Sequence, residues 1–203
     1  MSLTWYADDI LNLSRTIQRI EQNFKILKDE YSKIGLSFNP EKSEVVLFNW
    51  RNPSTSLINM DGSLVKPSDH ITYLGLPIGT SIGHTRRLRI SHVERKISIS
   101  YAVIVKSKLR FNRYILASIY NATALPHLLY IAPFWRFFTV TDKKHLRSIF
   151  FRFAKYLLHL PPWTRNRKII HLYKLSDPNI SINKSLSRFQ SKFNHPWSTI
   201  CSQ

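Results

Sequence analysis

The chain has 203 residues and a formal net charge of +18. Hydrophobic residues make up 43% of it, enough for a folded core, so a wholly disordered chain is not expected. A basic excess of this size favours a polyanionic partner, with nucleic acid ahead of a membrane surface. The alternative is an ordinary solvated surface, although protein surfaces normally mix both signs of charge.

The charge is distributed unevenly along the chain. Residues 1–80 contain 8 Lys/Arg and 9 Asp/Glu, whereas residues 81–203 contain 22 Lys/Arg and 3 Asp/Glu. This pattern predicts an acid-bearing, nearly neutral first part and a basic second part. It is the pattern expected of an enzyme that holds metal cations in one place and a phosphate backbone in another.

Several classes of protein are disfavoured by single features. Cys201 is the only cysteine, which excludes a disulfide framework and a cysteine-based zinc site. No charged region followed by an apolar run opens the chain, so no secretory signal is visible. The apolar stretch 115–135 contains polar residues and Pro126, and it predicts a buried helix rather than a membrane span. We therefore expect an intracellular protein, nuclear or cytoplasmic, without a membrane partner.

The first elements are predicted from apolar runs and turn residues. Residues 3–13 predict a strand, a tight turn and a returning strand, because two adjacent acids separate short apolar runs. Apolar residues at steps of three and four predict an amphipathic helix from Thr16 to Ile34, and Gly35 stands where a helix C-terminal glycine belongs.

Three further β-type patterns follow this helix. Residues 44–50 form a β-rich run. Residues 56–60 and 63–66 flank an Asp-Gly pair at 61–62, which predicts a hairpin. Residues 71–76 predict one more short strand, closed by glycine and proline.

The pattern becomes helical from about residue 84. Long helices are predicted over 85–109, over 112–131 with a kink or break at Pro126, and over 141–158. Thr141 and Asp142 are the candidate caps of the last of these. Beyond residue 177 the chain is polar and basic, which predicts a loosely ordered tail.

The string Tyr6-Ala7-Asp8-Asp9 is the clearest candidate site. Phosphoryl and nucleotidyl transfer commonly uses two divalent cations, and Mg²⁺ prefers carboxylate oxygens that are held rigidly. Two acids at the tip of a hairpin suit this chemistry, because the strands fix their direction. The alternative is a solvated turn that occurs by chance.

The order of features along the chain resembles the reverse transcriptases of non-LTR retrotransposons (LINE-type, jockey-like elements). LTWYADDILNLS (3–14) resembles their catalytic hairpin, and GLSFNPEKSEVVLF (35–48) the next palm element. ITYLGLPIG (71–79) is similar to the primer-grip hairpin where palm and thumb join. LPHLLYIAPFW (125–135) and LLHLPPWTRN (157–166) resemble the thumb and the helical region after it.

The resemblance implies an α+β fold, in which a partial polymerase palm of β-hairpins and one packed helix precedes a mainly helical basic thumb. It implies a palm over 1–80, a thumb or connection region over 81–175, and a tail over 176–203. The implied partners are an RNA template, a DNA primer, their RNA–DNA hybrid and deoxynucleoside triphosphates, with Mg²⁺ as cofactor. The oligomeric state is not predicted.

The resemblance also implies roles for individual residues. Asp8 would bind metal with Asp9 as its partner, and Tyr6 would lie near the incoming nucleotide or primer end. Lys42 would assist pyrophosphate departure, although a lone lysine is often only structural. The residues implied in holding the primer strand are Tyr73, Leu74 and Gly75; alternatively, the first two are core residues of a strand and Gly75 is only its turn.

Basic residues in three groups are candidate contacts to a nucleic-acid backbone, because Lys and Arg neutralise phosphates. The candidates are Arg86, Arg87, Arg89, Arg95 and Lys96; Lys106, Lys108, Arg110 and Arg113; and Arg165, Arg167 and Lys168. Aromatic residues interleave with them, and exposed rings would stack on bases. We expect most of these rings to be core, Tyr120, Phe150 and Phe153 among them, and Trp163 to be exposed.

Three functions remain open from the sequence. The first is a fragment of a polymerase, and the second is a non-catalytic nucleic-acid-binding remnant. The third is a basic ribosome-associated or membrane-surface protein with a chance Tyr-Ala-Asp-Asp string, which fits the charge but not the ordered series of matches.

A complete enzyme of the family has a further catalytic aspartate on a strand before the acidic turn, and only five residues precede that turn here. We therefore expect the 203-residue chain alone not to extend a primer. Primer-extension assays with purified chain and Mg²⁺ measure this. Robust extension that is lost in Asp8→Asn would contradict the expectation.

Overall fold

The computed structural model describes residues 2–6, 9–37, 39, 42–49, 57–60, 63–107 and 112–193. The chain divides into two compact units, unit 1 (residues 1–88) and unit 2 (residues 89–203). Small antiparallel sheets lie in unit 1 and helices make up unit 2, so the expected α+β class is confirmed. The three-part division at residues 80 and 175 stays a prediction.

Unit 1 contains hairpins and a helix in the predicted order. Its elements are β1 (Ser2–Tyr6), β2 (Asp9–Leu13), α1 (Ile17–Ser32), β3 (Ile58–Met60), β4 (Ser63–Val65), β5 (His70–Tyr73) and β6 (Leu76–Gly79). The pairs β1–β2, β3–β4 and β5–β6 are antiparallel. A long helix, α2 (Ile82–Lys106), begins in unit 1 and contains the boundary between the units. The predicted first hairpin, the second hairpin and the helix after the acidic turn are confirmed.

Both ends of α1 have sequence-encoded caps. The Thr16 hydroxyl oxygen accepts a hydrogen bond from the Arg19 N–H at 3.3 Å. At the other end Gly35 has a φ of +76°. This conformation lets the Gly35 N–H donate to the Ser32 carbonyl and the Leu36 N–H donate to the Tyr31 carbonyl, at 3.1 and 3.0 Å. The glycine therefore ends the helix as predicted.

One small apolar core holds unit 1 together. It joins Phe24 of α1 to the alternate residues of two extended segments, and Ile17, Ile20 and Val65 pack against it. The buried members are Phe24, Val45, Leu47, Ile58 and Met60. Alternate side chains of an extended chain point to one face, which is why residues 45 and 47, and 58 and 60, are buried in pairs.

Two β-type predictions for unit 1 were wrong in detail. Residues 44–49 form no strand; Val46 makes a single parallel bridge to Ser68, and the chain turns at Asn49, whose φ is +54°. Residues 71–76 form parts of two strands instead of one. Leu74 and Gly75, with φ of +49° and +72°, reverse the chain between β5 and β6, as in a two-residue hairpin turn.

In the described residues, unit 2 consists of helices and the segments that connect them. They are the rest of α2, α3 (Arg113–Tyr130), a 3₁₀ helix (Ala132–Phe137), α4 (Val140–Leu157), α5 (Asn166–Tyr173) and α6 (Pro178–Phe193). The predicted break at Pro126 does not occur. Leu125 and Leu128 are buried on either side of it, and that packing outweighs the cost of proline in a helix. No helix in the described part of the chain is both long and apolar enough to cross a membrane.

Aromatic residues of α3 and α4 build the core of unit 2. The Tyr120 hydroxyl donates to the Phe150 carbonyl at 2.9 Å, and the two rings lie 5.2 Å apart. Phe150 packs edge-on against Phe151, with ring centroids 5.6 Å apart. All three side chains are fully buried, and burial raises the pKa of Tyr120 above its ordinary value.

The N-cap of α4 lies two residues earlier than predicted. Thr139, not Thr141, is the N-cap: its hydroxyl accepts the Asp142 N–H at 3.1 Å, and the Asp142 carboxylate accepts the Thr139 N–H at 2.9 Å. This reciprocal pair is a capping box. The proposed capping role of Asp142 is confirmed and that of Thr141 is wrong.

Residues 178–193 form α6, so the prediction of a loosely ordered tail is wrong for them, and residues 194–203 lie outside the described residues. The fully buried Ile182 anchors this helix. At its start the Asp177 carboxylate accepts the Asn179 N–H at 3.0 Å and pairs with Arg147 at 2.7 Å. Asn121 and Ser176 add two hydrogen bonds just before it, at 3.1 and 3.2 Å. Specific anchors therefore order a segment whose overall composition is polar.

Asp177→Ala is expected to lower the free energy of unfolding by about 3 kcal/mol, because it leaves the half-buried Arg147 unpaired and removes the cap of α6. Urea denaturation followed by circular dichroism measures the change. Glu94→Ala is the matched control, since Glu94 pairs with Arg152 at 3.5 Å on the surface. Its expected cost is at most about 1 kcal/mol. Equal costs for the two variants would contradict the assignment.

Candidate catalytic hairpin and nucleic-acid interface

The acidic pair lies at the end of the β1–β2 hairpin. The strand register pairs Tyr6 with Asp9 and Trp5 with Ile10, so only Ala7 and Asp8 connect the strands. A two-residue connection is the shortest common hairpin loop, and it brings neighbouring acids to the tip of the ribbon. Ala7 and Asp8 lie outside the described residues, as do the side chains of Tyr6 and Asp9.

A buried amide attaches this hairpin to α1. Asn23 is only 5% exposed, and its Nδ2 donates to Oδ1 of Asn12 in β2 at 3.2 Å. Neither residue was among the predicted site residues. The sequence does indicate the burial of Asn23, because this residue lies beside Phe24 and three residues after Ile20, on the apolar face of the predicted helix. An amide in that position needs a buried partner.

A second polar contact attaches α1 to β3. The Glu21 carboxylate accepts the Asn59 N–H at 2.7 Å. Because Ile58 and Met60 on either side of Asn59 are buried in the core of unit 1, this contact fixes the strand along the helix. The support of the hairpin is therefore part polar and part apolar.

The donor set at the hairpin tip suits a hard cation in its chemistry. Carboxylate oxygens are the preferred protein ligands of Mg²⁺. The described residues include no cluster of three or more His, Cys, Asp or Glu that would hold a metal ion, and Asp8 lies outside that set. Metal binding by Asp8 and Asp9 is thus a proposal based on residue type and hairpin register.

Lys42 lies on the surface in the segment after α1. Its N–H donates to the Asn39 carbonyl at 3.2 Å, and the Ser43 hydroxyl donates to the same carbonyl at 3.0 Å. A local turn thus presents an exposed ammonium group. The role of Lys42 toward pyrophosphate stays a prediction.

The predicted primer-holding residues form the tip of the β5–β6 hairpin. Tyr73 pairs with Leu76, and Leu74 and Gly75 are the turn between them. The alternative interpretation, in which Leu74 is a core residue of a strand, is therefore wrong, because Leu74 lies in the turn. A leucine with a φ of +49° is strained, since its Cβ crowds the backbone in the left-handed region. Strain of this kind is tolerated where the surrounding structure imposes it.

The base of the same hairpin is tied to the first turn of α2. The Gly79 N–H donates to the Thr85 hydroxyl at 2.9 Å, and that hydroxyl donates back to the Gly79 carbonyl at 3.3 Å. A Cβ at Gly79 would stand 2.7 Å from Nδ1 of His84. Glycine is required here for this close approach.

Most of the predicted backbone-contacting cations are exposed. In unit 1 Arg87 is exposed and Arg86 is half-buried. In unit 2 the exposed members are Arg95, Lys96, Lys106, Arg113, Arg165, Arg167 and Lys168. Lys108 and Arg110 lie outside the described residues. Exposure makes these side chains available to phosphates, and their contacts to nucleic acid stay predictions.

Arg89 is different from the other members of this set. It is 7% exposed, and its guanidinium carbon lies 3.5 Å from the centroid of the Phe134 ring. Burial lowers the pKa of Arg89 from its ordinary value. Arg89 therefore packs inside unit 2, and its predicted contact with phosphate, which these contacts do not favour, stays a prediction. The sequence spacing indicates this burial, because Arg89, Val93 and Ile97 follow one another at steps of four and share one buried helix face.

Two histidines of unit 2 do not add to its positive charge at neutral pH. Burial lowers the pKa of His92, and the neighbouring charges of Lys96 and Arg95 lower it further. Burial lowers the pKa of His127 as well, followed by the charges of Lys96 and His92. Because both values lie below the ordinary value of 6.5, both rings are mainly neutral at pH 7. The basic character of unit 2 therefore comes from lysine and arginine.

Few of the interleaved aromatic residues are exposed. Tyr120 and Phe150 are core residues, as expected, whereas Phe153 is half-buried. The exposed ones are Tyr114, Phe137 and Trp163, in a set that also contains Tyr101, Tyr120, Trp135, Phe138, Phe150, Phe151 and Phe153. Trp163 has the largest exposed fraction of these, 82%. Its expected exposure is confirmed.

Comparison with known families gives a match to part of the chain. Residues 1–78 match the model of the family described as reverse transcriptase (RNA-dependent DNA polymerase). The matched segment contains both hairpins with predicted polymerase roles and is shorter than half of the chain. No curated protein and no solved structure matches the chain significantly. The match supports the reverse transcriptase family for these residues, and binding of a nucleic-acid template and primer is what that family implies.

Binding of RNA–DNA hybrid is expected to weaken steeply with salt and to depend little on base sequence, because exposed cations release counterions from the backbone. The variant Arg95→Ala/Lys96→Ala is expected to flatten the slope of log affinity against log salt by roughly 2. A control variant, Arg15→Ala/Lys25→Ala, removes two exposed cations from the nearly neutral unit 1. Fluorescence anisotropy at several salt concentrations measures the slopes. A flat titration of the unaltered chain would rule out the basic residues as a backbone clamp.

Proposed function

We propose that this chain is part of the RNA-directed DNA polymerase (reverse transcriptase) of a non-LTR, LINE-type retrotransposable element. The observation that carries the proposal is the match of residues 1–78 to the reverse transcriptase family model. The hairpin that ends in Asp8-Asp9 and the strained turn at Leu74-Gly75 support it, since both stand where the family has functional hairpins.

In this proposal the residues of unit 1 have different roles in nucleotidyl transfer. Asp8 and Asp9 supply oxygen ligands for Mg²⁺, which when bound stabilises the attacking and leaving oxygens. Tyr6 borders the incoming nucleotide, and the Lys42 ammonium compensates the charge of the departing pyrophosphate. The turn formed by Leu74 and Gly75, with Tyr73 before it, orients the primer strand.

We further propose that the 203-residue chain does not catalyse this reaction by itself. The family uses a third carboxylate, from a separate strand, with the adjacent pair. Two described acids of unit 1 are engaged elsewhere: Glu21 accepts the Asn59 N–H, and Asp69 accepts a hydrogen bond from His70 at 2.6 Å, which lowers the pKa of Asp69.

A second candidate is a non-catalytic nucleic-acid-binding protein that keeps the fold without the chemistry. The observation that favours it is the charge of unit 2, where 20 of the 30 Lys/Arg residues accompany only 3 Asp/Glu. Binding through these cations requires no carboxylates. The two candidates share a partner and differ in whether the acidic hairpin holds metal.

Metal binding at the hairpin separates the two candidates. Mn²⁺ is a paramagnetic substitute for Mg²⁺, and it is expected to broaden the amide NMR signals of β1 and β2. The broadening is expected to disappear in Asp8→Asn/Asp9→Asn and to persist in Asp29→Asn, which removes an exposed acid from α1. If Mn²⁺ leaves the hairpin signals unchanged in the unaltered chain, metal binding by Asp8 and Asp9 in this chain is contradicted and the non-catalytic candidate is favoured.

A further inference from the structure

The connection between α4 and α5 presents a tryptophan to solvent. Trp163 is 82% exposed, although an indole is costly to leave in water. The aromatic core of unit 2 shows that this unit has burial sites for large rings, since Trp135 is 5% exposed and Phe138 is equally buried. The exposure of Trp163 is therefore a feature that needs a physical account.

The turn that carries Trp163 is built from several defined hydrogen bonds. α4 ends with His159 in the left-handed region, at a φ of +52°, and the Leu160 N–H donates to the Lys155 carbonyl at 2.9 Å. The ammonium of Lys155 donates to the Pro162 carbonyl at 2.8 Å. One residue of α4 thus holds the connection twice, by its main chain and by its side chain.

The other side of Trp163 is fixed as well. The Thr164 N–H donates to the Pro161 carbonyl at 3.0 Å, which closes a turn around Pro162 and Trp163. The two prolines restrict the backbone before the ring. A ring on such a support loses little conformational entropy when it binds a flat partner.

The surroundings of this turn are strongly basic. Arg165, Arg167 and Lys168 follow within five residues and are exposed. Between Asp142 and Asp177 the chain has nine Lys/Arg and no Asp or Glu. The first turn of α5 contains no acidic residue, and its N-cap, Arg165, makes no side-chain capping bond. A flat ring beside exposed cations is the combination that binds a base and its adjoining phosphates.

We propose that the Trp163 turn is a binding site for single-stranded nucleic acid, where the indole stacks on one unpaired base and Arg165, Arg167 and Lys168 hold the flanking phosphates. Lys155 is a positioning residue, because its ammonium group is bonded to the Pro162 carbonyl next to the ring. Single strands are favoured over duplex because the bases of a duplex already stack on one another. The proposal takes its partner class from the proposed function, and it adds a site in unit 2 that the family match over residues 1–78 does not reach.

The test compares a labelled single-stranded oligonucleotide of mixed pyrimidines with a blunt duplex of equal length, by fluorescence anisotropy on the full chain. Trp163→Ala is expected to weaken single-strand binding roughly tenfold and to leave duplex binding and the salt slope unchanged. Trp163→Phe is expected to retain most of the affinity, because it keeps an aromatic face. Phe137→Ala is the matched control, since Phe137 is also exposed and lies 4.8 Å from the guanidinium carbon of Arg136.

Lys155 gives a second, independent variant. Lys155→Met removes the bond to Pro162 but keeps most of the side-chain volume, and it is expected to weaken single-strand binding severalfold more than duplex binding. Lys144→Met removes an equal charge from an exposed position of α4 and controls for electrostatics. Circular dichroism confirms that each variant is folded.

The outcomes separate this proposal from its alternatives. Equal losses for single strand and duplex in Trp163→Ala would overturn stacking and leave the backbone clamp intact. Loss of binding to phosphatidylserine vesicles, with single-strand affinity unchanged, would assign the turn to a membrane surface and overturn the proposal. If the unaltered chain binds no nucleic acid at low salt, the proposed function fails together with this site.

Discussion

The hydrogen bond from Asn23 to Asn12 joins the acidic hairpin to the helix that is anchored in the core of unit 1. A two-stranded ribbon such as β1–β2 is marginal on its own, so its orientation depends on what it packs against. Apolar contacts hold a ribbon near a helix but tolerate sliding, whereas a buried amide pair has one favourable geometry. The position of β2, the strand that begins at Asp9, therefore depends on the contact of Asn12 with α1.

Elements with a strong local signal were predictable from the sequence. Thr16 and Gly35 bound α1 as expected, and the Asp-Gly pair at 61–62 correctly indicated the β3–β4 hairpin. The strand prediction for residues 44–49 was wrong because alternating apolar residues also occur where an extended loop lines a core. The helix α6 was hidden by its polar composition, although Ile182, Leu186 and Phe189 recur at helical spacing.

Less of the candidate site than of the fold could be predicted from the sequence. The acidic string identified the hairpin, because few local structures place adjacent acids between apolar strands. Asn23 lies on the apolar face of α1, which indicates burial, but its partner Asn12 belongs to another element and no local pattern identifies it. The same holds for Arg89: its spacing indicates burial, whereas its partner, Phe134, lies 45 positions along the chain and offers an aromatic face that only tertiary structure reveals.

The imbalance between 20 cations and 3 acids in unit 2 has a consequence for its stability as well as for its partners. Like charges on a compact body repel one another, and unfolding relieves that repulsion. A polyanion that binds the folded form removes the repulsion and adds its own binding free energy to folding. Added salt is expected to raise the thermal stability of unit 2 by screening this repulsion. If nucleic acid binds unit 2 as proposed, it is expected to raise the thermal stability as well, by binding only the folded form.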